Sequence, residues 1–157
     1  MKTIRQGVFE TNSSSSHSLS IREGKWGQLE LKPNDEEYIE VEPGQFGWEI
    51  KWYDDQLSKL RYLLTMVFMT EIDWEDRLKE DWIEKLEQTE GFRVLNTFVH
   101  RNSGYYLQVI GTNGDEYYID HQSCGYESLL DFLCSYNTTI EEVILGNATI
   151  KTDNDNH

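Results

Sequence analysis

The chain has 157 residues, with 29 Asp/Glu against 14 Lys/Arg and a formal net charge of −15. That length suits one domain with a real core and is short for two, and 13% aromatic residues exclude a disordered polymer, which lacks large rings. The longest apolar run, residues 63–69, is interrupted by Thr65 and falls well short of the roughly 18 residues a membrane span needs.

The acid is concentrated in the middle of the chain. Residues 1–34 carry five Lys/Arg against three Asp/Glu, residues 35–90 six against seventeen, and residues 91–157 three against nine. Nucleic-acid affinity comes chiefly from cations that neutralise phosphates, so direct DNA or RNA binding is not expected. A basic protein is the expected partner, for example the nucleic-acid groove of another protein, with solubility alone as the alternative role of the charge. No apolar signal region follows Met1-Lys2-Thr3-Ile4-Arg5, which makes the cytoplasm the expected compartment. There Cys124 and Cys134, which form no C-x-x-C pair, are expected to be reduced and buried.

In chain order, residues 4–9 and 19–22 read as strands flanking a polar loop. Residues 28–32 and 38–42 alternate at period two, with Pro33-Asn34-Asp35 between them and Pro43-Gly44 after. Residues 45–52 read as a short strand or an apolar loop. From Asp54 the period changes: Leu57, Leu60, Leu64, Val67 and Phe68 share one helical face. A second helix is expected from an Asp73 N-cap, with Trp74, Leu78, Trp82 and Leu86 at intervals of four and Gly91 as its stop. Its other face, with Glu75–Lys79 and Asp81–Lys85 pairs, is expected in solvent.

Strands are then expected over 92–100, 105–110 and 116–120, the last two joined by a Gly111-Thr112-Asn113-Gly114-Asp115 hairpin. A helix over 126–135, a short helix over 140–145 and a strand over 148–151 complete the pattern. The order lacks βαβ alternation. It predicts an α+β fold, with a mainly antiparallel sheet and a central helix pair and C-terminal helical segment packed on one face. Residues 1–152 form one domain in this reading, and 153–157 a tail.

Three polar clusters each follow an expected strand, where a rigid support can present side chains. The first is Glu10-Thr11-Asn12-Ser13-Ser14-Ser15-Ser16-His17-Ser18. It is longer than an ordinary hairpin turn and has no glycine. The second is Asp120-His121-Gln122-Ser123 and the third Asp153-Asn154-Asp155-Asn156-His157. His17, Asp120, His121 and Asp153 are the candidate acid–base residues. The remaining members of the first cluster, with Gln122, Ser123, Asn154 and Asp155, are candidates for a shared polar pocket. Each cluster also has a plain reading: a solvated turn, a helix-entry cap at Ser123, and a frayed tail. Alternate Asp153, Asp155 and His157 suit a hard cation only weakly, and neither a metal site nor a cofactor is expected. No phosphate-binding glycine loop, zinc pattern or nucleophile elbow is present.

The pattern Arg5-x-Gly7-x-Phe9-Glu10-Thr11-Asn12-Ser13-Ser14-Ser15-Ser16-His17-Ser18 resembles the N-terminal signature of a family of small uncharacterised proteins of bacteriophages and related mobile elements. Tyr118-Ile119-Asp120-His121-Gln122-Ser123 and Thr152-Asp153-Asn154-Asp155-Asn156 resemble shorter segments of the same group, with Asp153 where glycine is expected. The resemblance covers about a fifth of the chain, and the acidic middle lies outside it. It implies a phage context and no mechanism, and it favours one assembled site over three unrelated loops.

The functional expectation is an acidic accessory protein that binds a basic host protein, in the manner of anti-CRISPR or DNA-mimic inhibitors. Glu75, Asp76, Glu80, Glu84 and Glu87 are its expected contacts, with neighbouring aromatics as anchors. A buried hydrogen-bond network that fastens the chain's ends is the second reading. The third is a nucleotide-binding or phosphoester-processing enzyme that uses His17, His121 and nearby carboxylates.

Overall fold

The computed structural model describes residues 4–6, 16–47, 49–120 and 125–153. Its principal sheet has four strands in the order β1-β2-β8-β5, every neighbour antiparallel: β1 is Ile4–Gln6, β2 Ser16–Arg22, β5 Lys51–Tyr53 and β8 Asn147–Asp153. The β2–β8 ladder runs from Ser16 opposite Asp153 to Arg22 opposite Asn147, so segments from the two ends of the sequence are zipped together. Alternation is clean along it. His17, Leu19 and Ile21 of β2 and Ala148, Ile150 and Thr152 of β8 are buried, while the residues between them are partly exposed.

Two smaller parallel ladders stand beside this sheet. β3 (Tyr38–Val41) pairs with β6 (Tyr106–Val109), and β4 (Gln45–Phe46) with β7 (Tyr118–Ile119). The helices are α1 (Gln56–Glu71), α2 (Trp74–Arg77), α3 (Trp82–Glu87), α4 (Glu90–Ser103), α5 (Leu129–Ser135) and α6 (Ile140–Leu145). The α+β class with a mainly antiparallel sheet is therefore the observed one.

Helix α1 is the hub. Asp55 caps it by accepting from the Ser58 N–H at 2.8 Å, and Lys59, Leu60 and every residue from Tyr62 to Phe68 are buried. A helix covered nearly all round has neighbours on all sides; α1 meets α3, α4, α5, α6, β3 and β7. On its sheet side the Lys59 ammonium donates to the Ala148 carbonyl of β8 at 3.0 Å, and Tyr62 bonds His17 of β2. Glu71, at its C-terminal end, accepts from two other helices: Oε1 takes the Gly91 N–H of α4 at 2.8 Å and Oε2 the Leu129 N–H of α5 at 3.0 Å. One carboxylate thus satisfies first-turn donors of both helices and complements both dipoles.

Six expectations fail, five of them for a readable reason. Residues 92–100, expected as a strand, lie in α4. Thr89 caps it by accepting from the Phe92 N–H, Gly104 ends it in the left-handed region at φ 80°, and Phe92, Leu95, Phe98 and Val99 share its buried face. Gly91, expected to stop the preceding helix, sits in this first turn because a Cβ there would lie 2.2 Å from Glu71 Oε2. The single helix expected through Trp74 and Leu86 is broken between α2 and α3. Arg77 turns inward: its guanidinium donates to Met69 Sδ at 3.0 Å and lies 5.8 Å from the Phe68 ring centroid. Trp82 and Leu86 are then buried while Trp74 and Leu78 stay outside.

The hairpin expected across residues 105–120 does not form, since β6 and β7 join different partners. Asn113 is at φ −76°, and Gly114 begins a 3-10 turn (Gly114–Glu116) pressed on the Arg77 carbonyl, 1.8 Å from where a Cβ would stand. Glycine serves close approach here rather than positive φ. Residues 28–32, expected as a strand, join no ladder among the described residues. The Gln56 side chain takes up their backbone instead, accepting from Glu30 N–H at 2.8 Å and donating to the Gln28 carbonyl at 2.7 Å. Cys134, expected to be buried, is exposed, and Cys124 lies outside the described residues.

Candidate functional site

The polar candidates divide into a buried seam and an exposed acidic face. In the seam, His17 is 1% exposed, with Nδ1 2.9 Å from the Tyr62 hydroxyl of α1. Its cross-strand neighbour Thr152 is equally buried and donates to the Glu49 carbonyl at 2.7 Å. The Tyr62 ring meets Phe46 edge-on, 4.9 Å between centroids, and the Phe46 carbonyl accepts the Asp120 N–H at 2.9 Å. Asp120 is buried too, against Gly47. One chain of contacts therefore links the end of the first polar cluster, the start of the second and the last strand before the third.

Ser16 and Asp153 are paired residues at the end of the β2–β8 ladder, and Ser18 is half-buried opposite Lys151. Glu10, Thr11, Asn12, Ser13, Ser14, Ser15, His121, Gln122, Ser123, Asn154 and Asp155 lie outside the described residues. Beside the seam is a polar cavity of about 380 Å³ bordered by Gln45, Glu49, Lys51, Tyr53, Tyr118 and Thr152. Its one cation is committed: Lys51 pairs with Glu49 at 3.0 Å, and that bond holds the ammonium above its ordinary range. Burial pushes the Tyr53 phenol up as well, so it stays protonated at neutral pH. Chemically the seam positions backbone and rings, and the cavity offers hydroxyls and a neutralised ion pair. Among the described residues no group of three or more His, Cys, Asp or Glu is arranged to hold a metal.

The acidic face lies over α2, α3 and their connection. Residues 73–90 hold eight carboxylates against three cations, a net of −5. Glu75, Glu80, Glu84 and Glu87 are exposed; Asp76 is half-buried and pairs with Lys79 at 3.3 Å. Of the three cations, Arg77 is directed inward and Lys79 is paired, which leaves the field strongly negative. Partial desolvation, and after it the neighbouring Glu84 charge, raise the Glu87 carboxyl above its usual range.

Two large apolar side chains stand within this field. Trp74 is 63% and Leu78 56% exposed, and both border a shallow depression of about 220 Å³ with Phe68, Tyr117, Tyr118 and Asp115. The helix break produces this arrangement. A continuous helix would have aligned Trp74 and Leu78 with the buried Trp82 and Leu86 on one face.

Sequence reasoning named the carboxylates of residues 75–87 as contacts and His17 as an acid–base candidate, but it did not name Tyr62, Lys59 or Glu71. All three sit on α1, where only the aliphatic stripe was legible; the local cue for Glu71 was its place at the end of a helix with no basic residue in its last turn. Comparison with protein-family models, with curated proteins and with solved structures gives no match. No helix among the described residues is long and apolar enough to cross a membrane.

Proposed function

We propose that this chain is an interaction protein whose acidic α2–α3 face docks on a basic protein surface, with Trp74 and Leu78 as apolar anchors. The observation that carries the reading is the exposure of those two side chains inside a field of net −5. Lone exposed apolar residues need no explanation, but a tryptophan and a leucine that border one depression, in a segment carrying eight carboxylates against three cations, have the composition of an interface core with a charged rim. The partner class proposed is a nucleic-acid-binding protein, since its groove carries the complementary charge. The resemblance of residues 9–18 to mobile-element proteins adds a host defence protein to that class, inhibited by occlusion of its groove.

The strength expected of the rim follows from Coulomb's law. A unit pair about 7 Å apart across a wet rim is worth about 0.6 kcal/mol in water, and about 0.25 kcal/mol after screening at physiological salt. Reversing a charge doubles that difference, so Glu80→Lys, Glu84→Lys and Glu87→Lys together cost about 1.5 kcal/mol, near tenfold in affinity. The test is capture of basic proteins from nuclease-treated bacterial extract by the immobilised chain. Wild type is expected to retain a discrete nucleic-acid-binding protein that the triple variant releases. Equal capture by both removes the acidic face from consideration.

The enzyme reading has one supporting observation, the polar cavity next to Thr152. Against it stands the position of His17, whose ring lies inside the protein on Tyr62 rather than at the cavity wall.

A further inference from the structure

A further cavity of the described structure shares no lining residue with either place above. It is a groove of about 620 Å³ between α4, α5 and the start of α6, in the size range of small-molecule sites. Val94 and Phe98 of α4, Leu133 of α5 and Ile140 of α6 give it an apolar lining. Phe98, Leu133 and Ile140 are buried, while Leu130 at the edge is exposed, so the apolar surface continues from the floor to the rim.

The charge at this rim runs against the rest of the molecule. Residues 91–157 contain only three Lys/Arg, and two of them, Arg93 and Arg101, border this one groove. Of the nine Asp/Glu in the same stretch, only Glu141 borders it. The two arginines are eight residues apart on α4, about 12 Å along the helix at its standard rise, and so stand at opposite ends of the α4 wall. They are not equivalent. Arg101 is tied to Glu141 at 3.0 Å, which neutralises that end. Arg93 is exposed and has no ion-pair partner among the described residues.

We infer that this groove binds a small amphiphilic monoanion, with its carboxylate on Arg93 and its apolar body along Val94, Phe98, Leu133 and Ile140 toward the Arg101–Glu141 pair. A guanidinium accepts a carboxylate bidentately, and the apolar floor gains by covering surface that is otherwise wet. A cationic amphiphile would meet the uncompensated arginine, and a neutral one would forgo it. The length of the wall suits a chain of about eight to ten carbons. The site is independent of the acidic face and is unaffected if that reading fails.

The experiment uses the full chain and the probe 1-anilinonaphthalene-8-sulfonate, displaced in turn by octanoate, octanol and octylammonium, with circular dichroism to show that each variant is folded. Octanoate is expected to displace the probe at least tenfold more effectively than octanol, and octylammonium least of all. Arg93→Glu removes the preference for octanoate, and Arg93→Gln, milder at this exposed position, reduces it. Thr97→Trp, which fills the groove from its exposed edge, abolishes displaceable binding. In a Cys124→Ser background, octanoate slows alkylation of Cys134, which borders the same groove. Equal displacement by octanoate and octanol, an unchanged preference in Arg93→Glu, full binding in Thr97→Trp, or no displacement by octanoate at all would each overturn the assignment.

Discussion

Removing the Glu71 carboxylate is expected to loosen two helices at once. Glu71 Oε1 accepts from Gly91 in the first turn of α4, and Oε2 accepts from Leu129 at the start of α5. Thr89 and Ser128 already cap those helices by taking the Phe92 and Asp131 N–H groups. They leave the Gly91 and Leu129 donors to Glu71. A charge-assisted hydrogen bond contributes about 1.5–3 kcal/mol, and partial exposure of the site sets each near the lower figure. Glu71→Ala is therefore expected to cost about 3 kcal/mol, a fall in Tm of about 6–12 °C for a chain of this size. Glu71→Gln keeps one acceptor and turns an amide N–H toward the other donor, so its cost should be about half or more of that. Urea unfolding followed by circular dichroism at 222 nm measures both. A loss below about 1 kcal/mol for Glu71→Ala would refute the claim that this carboxylate joins the helices, because two orphaned donors cannot be that cheap.

Lys59 titrates inside the protein. Burial pushes its ammonium below the ordinary value of 10.5, against the opposing pull of Asp54 and Asp55. Between the lowered folded value and 10.5 the unfolded chain holds more protons, so stability contributed by this residue rises with pH across that window. Lys59→Met should flatten the rise, as read by urea midpoints at stepped alkaline pH; an identical slope in both proteins contradicts it. His17→Phe should cost about 1–2 kcal/mol by breaking the bond to Tyr62. Adding Tyr62→Phe should cost less than the sum of the single changes, and strict additivity in a double-mutant cycle would disprove the coupling. Trp74→Ala and Leu78→Ala should each stay within about 0.5 kcal/mol of wild-type stability, as exposed positions do, yet weaken capture of the basic partner; a drop in Tm with unchanged capture would make them structural.

Period-two and period-3.6 patterns revealed β3, where Ile39 and Val41 alternate inward, and α1, where Leu60, Leu64, Val67 and Phe68 of the expected stripe are buried although Leu57 is exposed and the helix is covered on its other sides too. They misled at residues 92–100, where Phe92, Val94, Leu95, Phe98 and Val99 satisfy a strand as readily as a helix. The deciding signals were the Thr89 cap and Gly104 at φ 80°. The parallel pairings of β3 with β6 and β4 with β7 carry no local signal, since partners 68 and 73 residues apart meet through tertiary packing, β3 and β7 against α1 and β6 against α4, rather than through turn chemistry. At the candidate interface, composition showed the carboxylates. The exposure of Trp74 and Leu78 accompanies the inward turn of Arg77 onto Met69 and the close approach of its carbonyl to Gly114, where a Cβ would not fit, and no heptad-like spacing encodes these contacts. Burial of His17 on Tyr62 was hidden for the same reason, being a contact between a strand and a helix 45 residues away.

The central claim is that a carboxylate-rich face holds a cationic protein through its charge and two apolar anchors. It is tested most directly by the dissociation constant of the captured partner across salt from about 0.05 to 0.5 M, spanning Debye lengths from above 10 Å to below 5 Å. The account predicts affinity that falls steeply with salt for wild type, and a shallower dependence at weaker affinity for the Glu80→Lys, Glu84→Lys, Glu87→Lys variant. Salt-independent affinity shared by both proteins would contradict it.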